Sequence, residues 1–351
     1  MKKNIINGRF LLHKITGVER YAREIVAELD KIIEPGSFIL AVPPETTDIP
    51  EYKNIKVKKI GKLHGRLWEQ LSFPRYVHSE NGVSLNLCNV APLISPGIVC
   101  IHDVKVKATP QCFCKKFLIW YNLLFFNETK RAKEILTVSN FSKNEIMKYY
   151  KVNSNKIQVV PDAWQHYERI CYDEKTLKKY ELHRNDYFFA MGSMDPNKNF
   201  KWIAEVAKRT PQYTFVIAGA INEKVFAEGF GFECTPNMKL VGYVSDGEAK
   251  VLMRDCKAFL FPSFYEGFGI PPLEAICAGT NQVVVSNTEI MHEILGDGVV
   301  YVNPLEYNFD FDTITQLDEF NRNQIMNKYS WRASAKRLKK IVLEEMDRQR
   351  D

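Results

Sequence analysis

Short apolar runs alternate with longer amphipathic stretches along the whole chain. In the first half the runs are 38–42, 55–60, 83–88, 98–101, 135–138 and 157–160; in the second they are 187–191, 214–218, 238–241, 258–261 and 282–285. Runs of this length, rich in Val, Ile and Phe, predict strands buried on both faces, and the stretches between them predict the covering helices. Repeated strand, helix, strand order makes the fold class α/β with parallel sheets. Such sheets bind their ligands beyond the carboxyl ends of the strands, where the loops gather. The tail 331–348 predicts an amphipathic helix, with Ser330 as N-cap and Ala333, Leu338, Ile341, Val342 and Met346 on its apolar side.

Length divides this pattern. At 351 residues the chain is too long for one ordinary core and suits two domains of roughly 150 residues each, with a cleft between them. Residues 166–184 are polar and carry apolar periodicity only at 177–182, so they read as a linker. The expected division is an N-terminal domain over 1–165, the linker 166–184, a C-terminal domain over 185–328, and a helix in 329–351 that packs back across the domains.

Composition changes the picture in three places. Hydrophobic content of 45% and charged content of 26% exclude a disordered chain. The net charge of +6 is uneven: residues 1–165 hold 25 Lys and Arg against 15 Asp and Glu, giving +10, and the remainder holds 23 against 27, giving −4. A basic first half points to an anionic partner, whether phospholipid surface, lipid diphosphate or nucleic acid, or to a solvated face with no partner. The N-terminus has no long apolar region of the kind a signal peptide needs, and the longest apolar run, 117–126, is interrupted by Asn122 and falls short of the roughly 20 residues that cross a bilayer. That run reads as a helix apolar all round, which is ordinarily core. Its lysines, Lys115 and Lys116, with the aromatics behind them, also suit a headgroup region. The eight cysteines are scattered, mostly in apolar segments, and read as reduced core thiols. Only Cys112 and Cys114 lie close together, and nothing completes a ligand set around them, so no metal and no cofactor is expected.

The most informative stretch is 259–275. A strand ends at Phe261, a loop carries Glu266 and two glycines, and Pro271 and Pro272 suit the first turn of a helix, which would put Glu274 in that turn as well. Gly267, Phe268 and Gly269 can turn their backbone amides towards a ligand, and the helix start adds partial positive charge. Oxygen-rich anions and sugar hydroxyls are the natural guests. In the first half, 98–103 ends a strand on the polar pair His102-Asp103.

Glu266 and Glu274, seven residues apart around Gly-Phe-Gly-Ile-Pro-Pro-Leu, resemble the E-x7-E signature of retaining GT-B glycosyltransferases in glycosyltransferase family 4. The closest flavour is that of bacterial polysaccharide and O-antigen mannosyltransferases. The resemblance covers nearly the whole chain. Met191-Gly192-Ser193 through Lys198-Asn199 is similar to the family's segment in which a glycine precedes Pro-Arg-Lys-Asn, with Asn197 where arginine is usual; Asn7-Gly-Arg-Phe and the segment from Gly17 resemble the first strand, glycine loop and first helix. His102-Asp103 looks like the family's His-Asp motif. The segments ending in Gly219 and Gly242 resemble the strand ends flanking the base, and 137–142 and 159–163 match further motifs with Asp162 and Ala163 as departures.

The resemblance implies a GT-B fold, two Rossmann-like domains with parallel sheets facing across a cleft. It implies that Gly17, Gly192, Ser193, Lys198, Gly219, Gly242, Val244, Gly267, Phe268, Gly269 and Glu274 bind the donor, with Glu274 on the ribose and Lys198 on the diphosphate. His102, Glu266 and Lys198 are the implied catalytic set. The partners implied are a nucleoside diphosphate sugar and a saccharide or lipid-linked saccharide, with an anionic membrane surface as a further candidate. The setting implied is cytoplasmic, with the inner face of the plasma membrane as a candidate position. Nucleic acid is not expected, because it would leave Lys198, Glu266 and Glu274 unexplained. A metal-dependent glycosyltransferase would need an Asp-x-Asp motif, and Asp310-Phe311-Asp312 reads instead as a surface loop. A non-catalytic nucleotide-sugar binder and a phosphorylase or epimerase on the same plan remain as alternatives.

Overall fold

The computed structural model describes residues 3–219 and 233–348. They form two compact units, Met1–Asp162 with Ser330–Asp351, and Ala163–Tyr329. Each is built on one sheet. In the first, β1 (Asn4–Asn7), β2 (Phe38–Val42), β3 (Lys56–Lys59), β4 (Val83–Asn86), β5 (Ile98–Cys100), β6 (Glu134–Thr137) and β7 (Ile157–Val159) take the order β3-β2-β1-β4-β5-β6-β7. In the second, β8 (Tyr187–Met191), β9 (Thr214–Ala218), β10 (Met238–Gly242), β11 (Ala258–Phe261), β12 (Val283–Ser286) and β13 (Val300–Val302) take the order β10-β9-β8-β11-β12-β13. Neighbouring strands pair in parallel throughout the described residues. This is the α/β architecture of parallel sheets that the apolar runs predict, in the two Rossmann-like units that the resemblance implies. Each sheet reverses its order once, between β1 and β4 and between β8 and β11. A crevice forms at the carboxyl ends of the strands at such a reversal, and ligands of open parallel sheets collect there.

Every strand expected from an apolar run is present, with its ends at the expected residues or one or two residues away. β1 and β13, of four and three residues, are additional to those runs. β1, β2, β4 and β5 are buried along their whole length, as sheets covered on both faces require, while β3, Lys-Val-Lys-Lys, keeps its two outer lysines exposed at the sheet edge.

The C-terminal helix, Trp331–Asp347, belongs to the first unit. Ser334 donates its hydroxyl to the Pro161 carbonyl at 2.8 Å, and Lys339 its ammonium to Ile32 at 2.6 Å. Its buried side runs through Trp331, Ala335, Leu338 and Val342, so Ala335 and not Ala333 faces the core. Ser330 holds the N-cap position, but its hydroxyl makes no capping bond. Residues 166–184 lie on the second unit. The buried Lys250 ammonium donates to the carbonyls of Tyr167 at 2.7 Å and Ile170 at 2.8 Å, and Arg254 pairs with Glu174 at 2.7 Å.

Two expectations are corrected. The helix Lys115–Arg131 is not core all round: Leu124 and Phe125 are buried, but Ile119, Leu123 and Phe126 are 71%, 50% and 53% exposed. The helix presents only one side to its unit, and hydrophobicity alone does not tell which. Of the eight cysteines only Cys100 and Cys256 are buried, and Cys114, Cys171 and Cys234 are exposed.

Candidate active site

The reversal of the second sheet lies between β8 and β11, and the loops after these strands carry the charged residues read from the sequence. β8 ends at Met191 and Gly192 follows. Its N–H donates to the Ala218 carbonyl at 3.0 Å, and Gly219 next to it donates to the Gly242 carbonyl at 2.8 Å. Gly192, Gly219 and Gly242 therefore sit side by side at the ends of three adjacent strands. A Cβ on Gly219 would lie 1.9 Å from the Gly192 oxygen, a distance no side chain tolerates, so the close approach of these two turns requires glycine. At Gly192 a Cβ would stand 3.4 Å from the Lys198 side chain. Ser193 is exposed, Val244 is buried, and Tyr243 between Gly242 and Val244 is 78% exposed.

A 3-10 turn, Pro196–Lys198, capped by Asp195, then delivers Lys198. Its ammonium lies 2.6 Å from Glu266 Oε1 and 5.0 Å from the centre of the Phe261 ring, and both charged side chains are largely buried. Residues 68 apart in sequence thus form one ion pair at the sheet reversal. Asn197 holds the two loops together: its side chain donates to the Tyr265 carbonyl at 2.6 Å, and its own carbonyl accepts from Phe264 N–H at 2.9 Å. The residue in the place of the usual arginine is therefore buried and bound into the scaffold. Asn199, in the left-handed region at φ 55°, donates to Pro262 and Pro304 and fixes the turn from the other side.

Glu266, Gly267, Phe268 and Gly269 form a buried turn, with Phe268 edge-on to Tyr329 at 5.0 Å. Gly269 has φ +92° and caps the helix Ile270–Ala278; a Cβ there would meet the Met291 methyl at 2.6 Å. Pro271 and Pro272 occupy the first turn as the sequence predicts. Glu274 is the fifth helical residue and so lies one turn further in than the sequence reading places it. It accepts from His166 Nε2 at 2.8 Å, and the imidazole is 1% exposed. His166 was not legible: it lies 108 residues away in what reads as a linker. Asp310 caps a short 3-10 helix through Asp312 N–H, and both acids are exposed, so this Asp-x-Asp is a turn.

In the first unit, His102 follows β5. Its Nε2–H donates to the Leu87 carbonyl at 2.8 Å, its backbone N–H to Asn89 Oδ1 at 2.7 Å, and its carbonyl accepts from Ser142 at 2.9 Å. The Tyr21 ring stands edge-on at 4.8 Å. Burial lowers the His102 pKa, so the ring is neutral, with the proton on Nε2 and the lone pair on Nδ1. Gly17 opens the helix Gly17–Asp30 and is exposed; the Glu19 carboxylate accepts from both the hydroxyl and the N–H of Thr16 before it. The structure thus assembles the predicted residues in two groups: Gly192 through Glu274 in the second unit, His102 and Gly17 in the first.

Two parallel sheets with glycine-lined strand ends and a lysine–glutamate pair at one reversal define an α/β architecture of the GT-B type. The family model "Glycosyl transferases group 1" matches residues 173–350, and the chain belongs to this family of glycosyltransferases. It is 31% identical to the O-antigen chain mannosyltransferase RfbU of Salmonella typhimurium over 61% of this chain and 58% of that protein. It is 24% identical to O-antigen chain mannosyltransferase B of Escherichia coli over 83% and 84%. Among solved structures it resembles sucrose-phosphate synthase from Thermosynechococcus elongatus, with TM-score 0.73 and 13% identity over 99% of this chain and all of that one. Anabaena HepE in complex with UDP and glucose follows, with TM-score 0.69 and 15% identity over 97% and 99%.

Proposed function

We propose that the protein is a retaining glycosyltransferase of family 4 that moves a mannosyl residue from GDP-mannose to a lipid-linked saccharide in cell-surface polysaccharide assembly. The observation that carries the reading is the Lys198–Glu266 pair at the sheet reversal, above three packed glycines and beside the helix that bears Glu274. The mannosyl donor rests on the O-antigen mannosyltransferases among the relatives.

Breaking the bond between the sugar C1 and the diphosphate oxygen leaves positive charge on the sugar and negative charge on the leaving group. Lys198, the amides of Gly267 to Gly269 and the start of the helix at Ile270 meet that negative charge. Preorganised electrostatics of this kind is usually the largest catalytic contribution. Until donor binds, Glu266 holds Lys198 in place; the diphosphate then takes over the lysine, and the carboxylate turns to the sugar hydroxyls. Glu274, oriented by His166, accepts from the ribose. Neutral His102 offers Nδ1 to a hydroxyl of the transferred sugar. The acceptor oxygen attacks C1 from the face the diphosphate leaves, and its proton passes to the departing diphosphate oxygen. The product keeps its anomeric configuration.

With GDP-mannose and a lipid-linked saccharide, mannose should appear in the lipid fraction with the donor's α-configuration, and EDTA should not reduce the rate. Transfer from UDP-glucose alone would overturn the donor assignment. Loss of activity in EDTA with rescue by magnesium or manganese would overturn the cation roles given to Lys198 and the helix start.

A second prediction concerns the membrane. No helix among the described residues is long and apolar enough to cross one. Ile119, Leu123 and Phe126 of Lys115–Arg131 are exposed, and so are Leu67, Leu71 and Ile94 on two neighbouring segments. The three segments are tied together: Gln70 accepts from Leu93 N–H at 2.9 Å, Asn127 donates to the Leu93 carbonyl at 2.9 Å, and Arg66 lies 5.4 Å from the Trp120 ring. Exposed Arg66, Lys115, Lys116 and Lys130 frame this face. Aliphatic groups can enter the acyl boundary while each nearby cation gains roughly 1 kcal/mol from anionic lipid. The protein should sediment with phosphatidylglycerol vesicles at low salt and be released as salt rises. Equal recovery in the supernatant with and without these vesicles would favour a soluble acceptor.

A further inference from the structure

A cavity of about 330 Å3 opens at the reversal of the first sheet, between β1 and β4, with Arg9, Glu69 and Trp120 in its wall and residues 87–90 along one side. Those residues begin the stretch 87–97, which joins β4 to β5 without strand or helix. The same stretch holds His102 in two places: the Leu87 carbonyl accepts from the ring Nε2–H, and the Asn89 side chain accepts from the backbone N–H. The direction of the Nδ1 lone pair is therefore set by irregular backbone. Asn89 adopts φ 58°, a left-handed conformation that a residue with a side chain keeps only where its neighbours hold it.

Two bonds flank that residue. Asn89 N–H donates to the Cys100 carbonyl at 3.0 Å, on the side of the sheet. Two residues further along, the Ala91 N–H donates to Glu128 Oε1 at 2.9 Å, and Ala91 and Glu128 are both wholly buried. Gln70 and Asn127 grip the Ala91 and Leu93 carbonyls and the Leu93 N–H from half-buried positions. Glu128 alone reaches the stretch from the interior.

An acid is a costly choice for that place. Burial pushes the Glu128 carboxyl well above the usual carboxylate range, and the nearby Glu69 charge adds to the push, so the group stays protonated. Its Oε2 is buried without a hydrogen-bond partner, which packed interiors ordinarily avoid. A methionine would fill the space without that cost. It would also leave the buried Ala91 N–H unpaired and the far side of Asn89 without its inner tie.

We propose that Glu128 is a positioning residue of the transfer reaction, which holds the backbone at Ala91 and through it the two groups that orient His102. The assignment rests on the role given to His102 above and adds a side chain that acts on the ring through the stretch 87–91.

Conservative variants of the full chain test this. Glu128→Gln keeps an oxygen for Ala91 in a neutral side chain of the same size, whereas Glu128→Met removes the oxygen. One readout is the proton–nitrogen correlation spectrum of labelled histidines, with the His102 signals identified by their loss in His102→Gln. The other is GDP release from saturating GDP-mannose with a lipid-linked saccharide, with GDP affinity measured by calorimetry beside it. Glu128→Gln should keep the Nε2–H signature of His102 and turn over within about twofold of wild type. Glu128→Met should move His102 off that single signature and lower kcat roughly ten- to a hundredfold, as loss of orientation does. Its GDP affinity should stay within about twofold of wild type, because the nucleotide is held by the other unit. Should Glu128→Met fail to melt cooperatively, Glu128→Asp, whose shorter side chain withdraws the oxygen from Ala91, is read in the same way. A His102 spectrum and a kcat like those of wild type in the folded variant that lacks the Ala91 bond would overturn the assignment. A folded Glu128→Gln that turns over as poorly as Glu128→Met would overturn it too, and either result leaves the glycosyltransfer reading standing. A wild-type chain that releases no GDP from GDP-mannose and binds no nucleoside diphosphate would overturn the reading beneath it.

Discussion

Lys198→Ala should lower kcat about a hundredfold, the usual cost of removing one preorganised group that meets charge developing in the transition state. The geometry argues for an effect at least that large. The ammonium is 2.6 Å from Glu266 and shielded from solvent, so its removal leaves the carboxylate without this cation at the place where the diphosphate becomes more negative. Repulsion then adds to lost attraction. Asn197 cannot substitute: it is buried, neutral and committed to the Tyr265 carbonyl. Donor affinity should change less than turnover, since the charge that Lys198 meets grows as the sugar departs. Lys198→Arg should recover part of the rate, limited by its different fork geometry. Single-turnover kinetics with saturating donor is the measurement. Full activity in Lys198→Ala would move phosphate neutralisation to another group.

For Glu274→Gln the expected change is in binding. Replacing the carboxylate removes a charged acceptor for the ribose hydroxyls, worth roughly 1.5 to 3 kcal/mol, or about ten- to a hundredfold in nucleoside diphosphate affinity. Shape is retained, and the amide oxygen can still accept from His166, whose ring is 2.8 Å away and almost wholly buried. The helix should therefore stay in place. At saturating donor, kcat should be little altered, which separates this variant from Lys198→Ala. Calorimetric titration with GDP decides it: unchanged affinity would remove Glu274 from the ribose.

The two variants probe different kinds of information in the chain. Glu266, Glu274 and the turn between them are legible in sequence because their relation is local. A strand that ends at Phe261, glycines that permit the turn and prolines that start a helix follow one another within a few residues. The ion pair of Lys198 and the imidazole behind Glu274 are not local in this sense. They join residues 68 and 108 positions apart, and the distances exist only because β8 and β11 are neighbours and because residues 165–169 lie against the helix Ile270–Ala278. The placement of Glu274 one turn deeper than expected has a simpler origin: the helix begins at Ile270, so the prolines occupy its second and third positions.

By itself the sequence determined the strands, since strands buried on both faces are apolar along their length, and it determined the turn at the end of β11, since glycine and proline at fixed spacing constrain a loop locally. Tertiary structure alone decided which apolar residues stay in solvent and which polar residues meet. The run 117–126 is apolar except at Asn122, and only the segments packed against it distinguish buried Leu124 and Phe125 from exposed Ile119, Leu123 and Phe126. The cavity of Arg9, Glu69 and Trp120 likewise draws on three segments that no periodicity links. Burial and pairing are properties of neighbours in space, and the sheet order that brings those neighbours together is set by the packing of the whole unit.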